Sequence, residues 1–299
     1  MTTQERALAA PPRSSLIVPC LAATWLVWGS TYLAIKFALR GFPPFFQMGT
    51  RFLAAGAILL LWSVWRGQPL PTLSQWRNAT IIGALMLGAG MGAAAYAEQT
   101  VASGLVVAFI AVTPALITLV NWPFGLRPSR RETLGIGIGI LGVFLLVRGS
   151  GFAASRVGLV ALVLGTIGWS TGSVLSQQVF PLARASVGFA SEMLCGGLVL
   201  LTLSVLSGER FHWPPQPAAL AAWMYLVVFG SLIAFNAYML LLANASAALA
   251  TSYSFVNPVI GLVLGITLGA ETVTPSEWLS VGVIVLGVMI VVLGRSHAA

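Results

Sequence analysis

In the stretch "QMGTRFLAAGAILLLW" (47–62) one side chain is out of place: Arg51, a permanent charge among hydrocarbon residues. At the centre of a membrane span such a charge costs anywhere from about 2.5 to over 10 kcal/mol. Two acids share its setting, Glu98 in "AYAEQT" and Glu192 in "SEMLC". These three are the candidates for a gate or charge pair, and the two carboxyls are the only groups in or near spans that could carry a proton. Trp28 in "WGST" and Trp169 in "WSTGS" are followed by hydroxyls. Indole faces beside hydroxyls suit an amphipathic ligand with an aromatic or apolar side chain. The competing reading is packing, with the hydroxyls bonded to carbonyls one turn back. Pro114 and Pro258 each remove a helical hydrogen bond and free the carbonyl four residues earlier, on Ile110 and Ser254. Such kinks either serve as hinges and ammonium sites or merely shape the bundle. Thr113 and Asn257 directly precede the prolines, and Tyr253 lies one turn from Asn257. With Ser30, Met86, Tyr96, Gln99, Asn236 and Tyr238 they complete the expected substrate-binding set.

Catalysis has little to work with. The chain has no Asp, its seven acids are all Glu, and its two histidines, His212 and His297, fall in a loop and the tail. Without convergent acids, bases or ligands in the spans, no enzyme, metal or cofactor is expected. Cys20 and Cys195 lie in apolar runs and read as packed thiols. Gly137, Gly139 and Gly142 match G-x-G-x-x-G literally, but no strand precedes them and no acid follows at the required distance. Together with Gly135 they read as small residues that let helices approach closely.

The elements that must position these residues are transmembrane helices. Of 299 residues, 58% are apolar and 7% charged, against about a quarter charged in soluble domains. An all-α integral membrane protein is the only class that fits. Runs near twenty residues, the length that crosses about 30 Å of hydrocarbon, fall at 16–38, 45–65, 77–97, 102–122, 132–148, 157–179, 186–206, 218–242, 246–269 and 278–294. That is ten spans, and a lipid bilayer is the obligatory partner. The net charge of +8 is scattered through short connections with no basic run, so no nucleic acid is expected. Nine Lys/Arg on the N-terminal side against five on the other predict both termini in the cytoplasm. Residues 1–15 and 295–299 are short tails, and the choice between monomer and homodimer stays open.

A duplication is visible within this array. Glu132 matches Glu277, Gly137 matches Gly282, and "LGV" at 141–143 matches 286–288, each 145 residues apart. Trp28 and Trp169, like Arg51 and Glu192, are 141 apart; Tyr96 and Tyr238 are 142 apart, and Pro114 and Pro258 144. A steadily drifting offset is what loop insertions do to a true repeat, here 16–148 and 157–294 joined by a loop at 149–156. Five spans per half force the second half to enter from the opposite face. That predicts a five-plus-five inverted repeat around a central cavity. Arg51 and Glu192 then lie at different depths, so Glu98 is the expected partner of Arg51, and Arg184 or a loop arginine that of Glu192.

These features resemble the EamA branch of the drug/metabolite transporter superfamily: ten spans in two halves, the Arg–Phe pair 51–52, and "VNPVIGLVLGITLGAETVTPSEWLSVGVIVLGV" (256–288). Size and layout are most similar to YddG-type exporters of aromatic and other amino acids. The resemblance implies a secondary transporter that exports small organic metabolites by alternating access. Amino acids, including aromatic and neutral ones, are the first substrate class; drugs, amines and nucleosides are the alternative, with a membrane enzyme or lipid handler behind them. The first half departs from the pattern, because Arg127 stands where the second half has Glu271.

Overall fold

The computed structural model describes residues 14–148, 155–245 and 252–295. Among them are ten helical segments: α1 (Leu16–Ala38), α2 (Pro44–Trp65), α3 (Leu73–Ala97), α4 (Ser103–Phe124), α5 (Arg130–Val147), α6 (Arg156–Gln178), α7 (Ser186–Leu206), α8 (Pro217–Tyr238, continuing to Asn244), α9 (Tyr253–Gly269) and α10 (Pro275–Arg295). Eight are long and apolar enough to cross a membrane. α9 is shorter, and the six residues before it that the sequence assigns to the ninth span, 246–251, lie outside the described residues.

The termini of these helices repeat as the sequence does. α5 and α10 both start with a capping box, Ser129 with Glu132 and Thr274 with Glu277, which satisfies two otherwise orphaned donors at each start. α2 and α7 both end on a left-handed glycine, Gly67 (φ 77°) and Gly208 (φ 71°), a conformation that costs glycine little. The next residue in each half then reaches across to the other. Gln68 accepts a hydrogen bond from Ser186 Oγ at the start of α7, at 3.1 Å. Glu209 accepts from the Phe45 and Phe46 N–H groups at the start of α2, at 3.0 and 2.9 Å. One kind of helical irregularity is paired as well: wide, π-type turns occupy 84–91 in α3 and 226–233 in α8, whereas a third at 23–27 in α1 has no counterpart in α6.

Two helix pairs hold the halves together, and in each the partners run antiparallel. Gly49 of α2 meets Gly197 and Leu201 of α7, Gly56 meets Ala190 and Met193, and Ser63 hydrogen-bonds Ser186 at 2.8 Å. In the second pair Gly135 of α5 meets Gly287 and Val291 of α10, and Gly142 meets Ile284. Small residues at the crossings permit this approach. Gly137, grouped with them on sequence, is a correction: neither it nor its repeat mate Gly282 has an atom within 4 Å of where a Cβ would lie. Gly142→Leu is therefore expected to lower stability by about 1–3 kcal/mol through overpacking, whereas Gly137→Leu leaves it unchanged. Thermal unfolding of both variants in one detergent checks this.

Hydrogen bonds sort the connections into two layers, as alternating threading requires. At the end of the bundle holding the α1–α2 turn, here the distal end, Lys36 joins Glu271, Glu271 joins Ser103, Thr100 joins Ser155, and Glu209 joins Phe45. At the proximal end Ser63 and Gln68 join Ser186, and Asn78 joins Pro181. The outward faces are apolar, with Leu61, Val205 and Leu206 exposed and Trp65, Trp122 and Trp213 near helix ends, the positions that suit lipid and its interfaces.

Candidate functional site

One turn of α1 organises the middle of the bundle. The wide turns of α8 break the usual hydrogen-bond register and present the Gly230 carbonyl, to which Trp28 Nε1 donates at 3.2 Å. The indole lies 4.8 Å from the Tyr253 ring, 5.3 Å from Tyr238 and 6.4 Å from Phe235, centroid to centroid. The sequence-predicted Trp28, Tyr238 and Tyr253 therefore form one aromatic cluster drawn from α1, α8 and α9. Ser30 lies two residues on, bonded to the Val27 carbonyl and, at 2.7 Å, to the Tyr225 hydroxyl.

Arg51 enters beside this cluster. Its side chain is 3% exposed. Nε donates to Ser231 Oγ at 2.9 Å, and that hydroxyl donates in turn to the Leu226 carbonyl. The guanidinium stands 4.9 Å over the Phe52 ring, with Nη2 against Gly230, which also touches Thr31. No carboxylate pairs with it; Lys36–Glu271 is the ion pair among the described residues. The expected Arg51–Glu98 pair is thus corrected: no ion pair joins the two, although Tyr32 feels the charge of both. Nor does Glu192, buried in α7, pair with Arg184. On the other flank of the same α1 turn Asn257 Oδ1 is buried with no hydrogen-bond donor, next to Gly29.

Other predicted residues lie elsewhere. Trp169 packs on Gly90 of α3 rather than with Trp28, and Met86 packs on Gly172 with its sulfur 3.9 Å from Ser173 Oγ. Both belong to the α3–α6 contact, the counterpart in the other half of the α1–α8 contact. Tyr96 and Gln99 line a cleft of 620 Å³ at the distal end with Phe42, Phe45, Arg210 and His212. Asn236 is turned away from the cluster: it is exposed on the stripe of Phe229, Ile233 and Leu240, and its amide donates to the Leu232 carbonyl at 2.6 Å. Of the two prolines, Pro114 interrupts α4, which breaks at residues 111–112, while Pro258 lies within an unbroken α9. The Ile110 carbonyl that Pro114 would strand accepts from Thr113 Oγ1 at 2.5 Å, so Thr113 closes the kink rather than opening a ligand site. Cys20 and Cys195 are buried free thiols.

Three polar groups escaped the sequence reading. Gln47, one turn from Arg51, is buried with both amide atoms unpartnered. Lys36 and Glu271 form the distal ion pair at 2.6 Å. Lys36 had a signal of its own, being the only lysine beside fourteen arginines. Glu271 also accepts from Ser103 N, Ser103 Oγ and Gly104 N at 2.8–3.2 Å, capping the start of α4. Burial works against its charged form, but Lys36 and the α4 donors outweigh it and hold the Glu271 carboxyl below its usual range.

Comparison with known proteins agrees with this architecture. The model of the EamA-like transporter family matches twice, over residues 16–148 and 156–293. The chain is 40% identical over 276 residues to the uncharacterized inner membrane transporter YedA of Escherichia coli K12, covering 92% of this chain and 90% of that one. Protein PecM of Dickeya dadantii is 27% identical over 242 residues, 80% of each chain. A solved crystal structure, 21% identical, superposes with a TM-score of 0.66 over 95% of this chain and 99% of its own, a likeness of fold. These matches do not single out the YddG-type branch. A family model that covers both halves, on ten helices with repeated caps, makes this chain a member of the EamA-like transporter family.

Proposed function

We propose that the protein is a secondary transporter of a bacterial inner membrane, with both termini in the cytoplasm, that exports small organic metabolites. The class the site fits best is amino acids with apolar or aromatic side chains. One observation carries this reading: a buried guanidinium with no carboxylate partner among the described residues lies beside an aromatic cluster. A buried charge is costly unless paired, and a substrate carboxylate supplies the missing partner. Asn257 Oδ1, across the same α1 turn, offers an acceptor for the ammonium group, and Trp28, Tyr238 and Tyr253 offer faces to the side chain. The antiparallel α2–α7 and α5–α10 pairs support two halves threaded in opposite senses, the architecture in which one bundle rocks against the other around a fixed site. The break at Pro114 then serves as a hinge, and Pro258, its repeat mate, is a second hinge candidate within a continuous α9.

Proteoliposomes with a panel of labelled amino acids, amines and nucleosides test this. Phenylalanine and leucine are expected to exchange well above protein-free vesicles; no amino acid exchange sinks the substrate class. Trp28→Ala is expected to weaken phenylalanine more than alanine, by roughly fivefold, since an aromatic contact contributes about 1 kcal/mol. Equal effects on both substrates would remove Trp28 from side-chain recognition.

A further inference from the structure

Glu98 remains unexplained by cargo recognition. It lies in the turn just past α3, is 2% exposed, and neither carboxyl oxygen has a hydrogen-bond partner among the described residues. A buried carboxylate so placed has nothing to replace the water it gave up, so the neutral acid is the form that fits this arrangement. Yet water is close. Tyr96 and Gln99, on either side of it in sequence, line the distal cleft.

We propose that Glu98 is a proton-binding site through which the carrier exchanges a proton for its cargo. The step is simple: the Glu98 carboxylic acid gives its proton to water from the cleft, leaving a carboxylate and a hydronium ion, and the return step reverses this. What an ionised Glu98 meets is set by its neighbours. The titratable and charged groups whose field reaches it are Lys36 and Tyr32 on α1 and Glu271 in the α9–α10 turn. Arg51 of α2 makes no ion pair with it. α6, which also packs on this part of α3, carries Arg156 as its single charged residue. Glu271 is already served by three donors from α4 besides Lys36, whereas the Lys36 ammonium has one acceptor and two protons to spare. A deprotonated Glu98 therefore competes with Glu271 for the charge of Lys36. That loosens the link between α1, the start of α4 and the α9–α10 turn, the contacts that hold the distal end together. Protonation of Glu98 restores it. Proton occupancy and the distal closure are thus tied to one lysine.

This inference rests on the transport reading for its consequence but not for the site, and two measurements separate them. Infrared difference spectra of the full chain in lipid, acid minus alkaline, are expected to contain a protonated-carboxyl band that Glu98→Gln and Glu98→Met both lack. Identical spectra in wild type and variants overturn the proposal whatever the cargo is. In proteoliposomes holding a pH dye, a phenylalanine gradient is expected to drive protons the opposite way in wild type. Glu98→Gln, a mimic of the protonated acid, keeps labelled phenylalanine exchange and loses the proton movement. Proton movement that survives in Glu98→Gln, or wild-type exchange with no proton movement, overturns it. If wild type exchanges no amino acid, the substrate reading fails and the infrared result alone decides on Glu98.

Discussion

Arg51→Met is expected to abolish amino acid exchange while leaving the protein as stable as wild type, or more so. The combination is unusual, because loss of a buried side chain ordinarily costs stability. Here methionine has a similar length and no charge, and what it removes is a guanidinium held by one hydroxyl, a weak contact to the Met48 sulfur and the Phe52 ring. Replacing a buried, imperfectly compensated charge by an apolar group of similar volume is often neutral or stabilising. The substrate, in contrast, loses charge-assisted hydrogen bonds of about 1.5–3 kcal/mol each. Two such bonds amount to a reduction in affinity on the order of a hundredfold or more. Arg51→Lys keeps the charge but loses the planar fork that grips a carboxylate at two points, so it recovers only part of the exchange. Thermal unfolding and labelled phenylalanine exchange, measured on the same preparations, separate the two roles. A large fall in stability for Arg51→Met would mark the arginine as structural and remove the carboxylate site.

Lys36→Met is expected to do the reverse, damaging the fold first. Glu271 would keep its α4 donors but lose its only counter-charge while staying buried. Removing one partner of a buried pair costs about 3–5 kcal/mol, and the partial exposure of Lys36, 31% for its side chain, argues for the lower end. The double variant Lys36→Met with Glu271→Gln leaves no unpaired charge and is expected to regain most of that loss, a coupling that a double-mutant cycle measures directly. The pH dependence has a defined sign. Because the folded Glu271 carboxyl is held below the ordinary glutamate value of 4.5, the unfolded chain binds more protons than the folded one in this range. Its contribution is fully present above that value and is lost as pH falls through the folded value. Acid unfolding in Lys36→Met is expected to show a smaller loss across this window. An unchanged acid limb would mean that the pair contributes nothing to closure of the distal end.

How much of this was legible beforehand follows from the range of each signal. Hydropathy, capping and turn chemistry act over a few residues, so the sequence alone determined the ten helices and the repeat. Ser129 with Glu132 and Thr274 with Glu277 are capping boxes in any context, and glycine at 67 and 208 is what the left-handed ends of α2 and α7 require. Which side chains meet was decided only by tertiary structure. An ideal helix turns about 100° per residue, and the wide turns at 84–91 and 226–233 shift the faces that follow them in a way no periodicity count registers. The α8 distortion brings Tyr238 to Trp28 while Asn236, two residues away, faces outward. Packing likewise assigned Glu271 to Lys36, left Glu98 without a hydrogen bond, and separated Arg51 from any acid. Composition revealed that few charges lie in the bilayer; the rotation and depth of each helix decided which of them are answered.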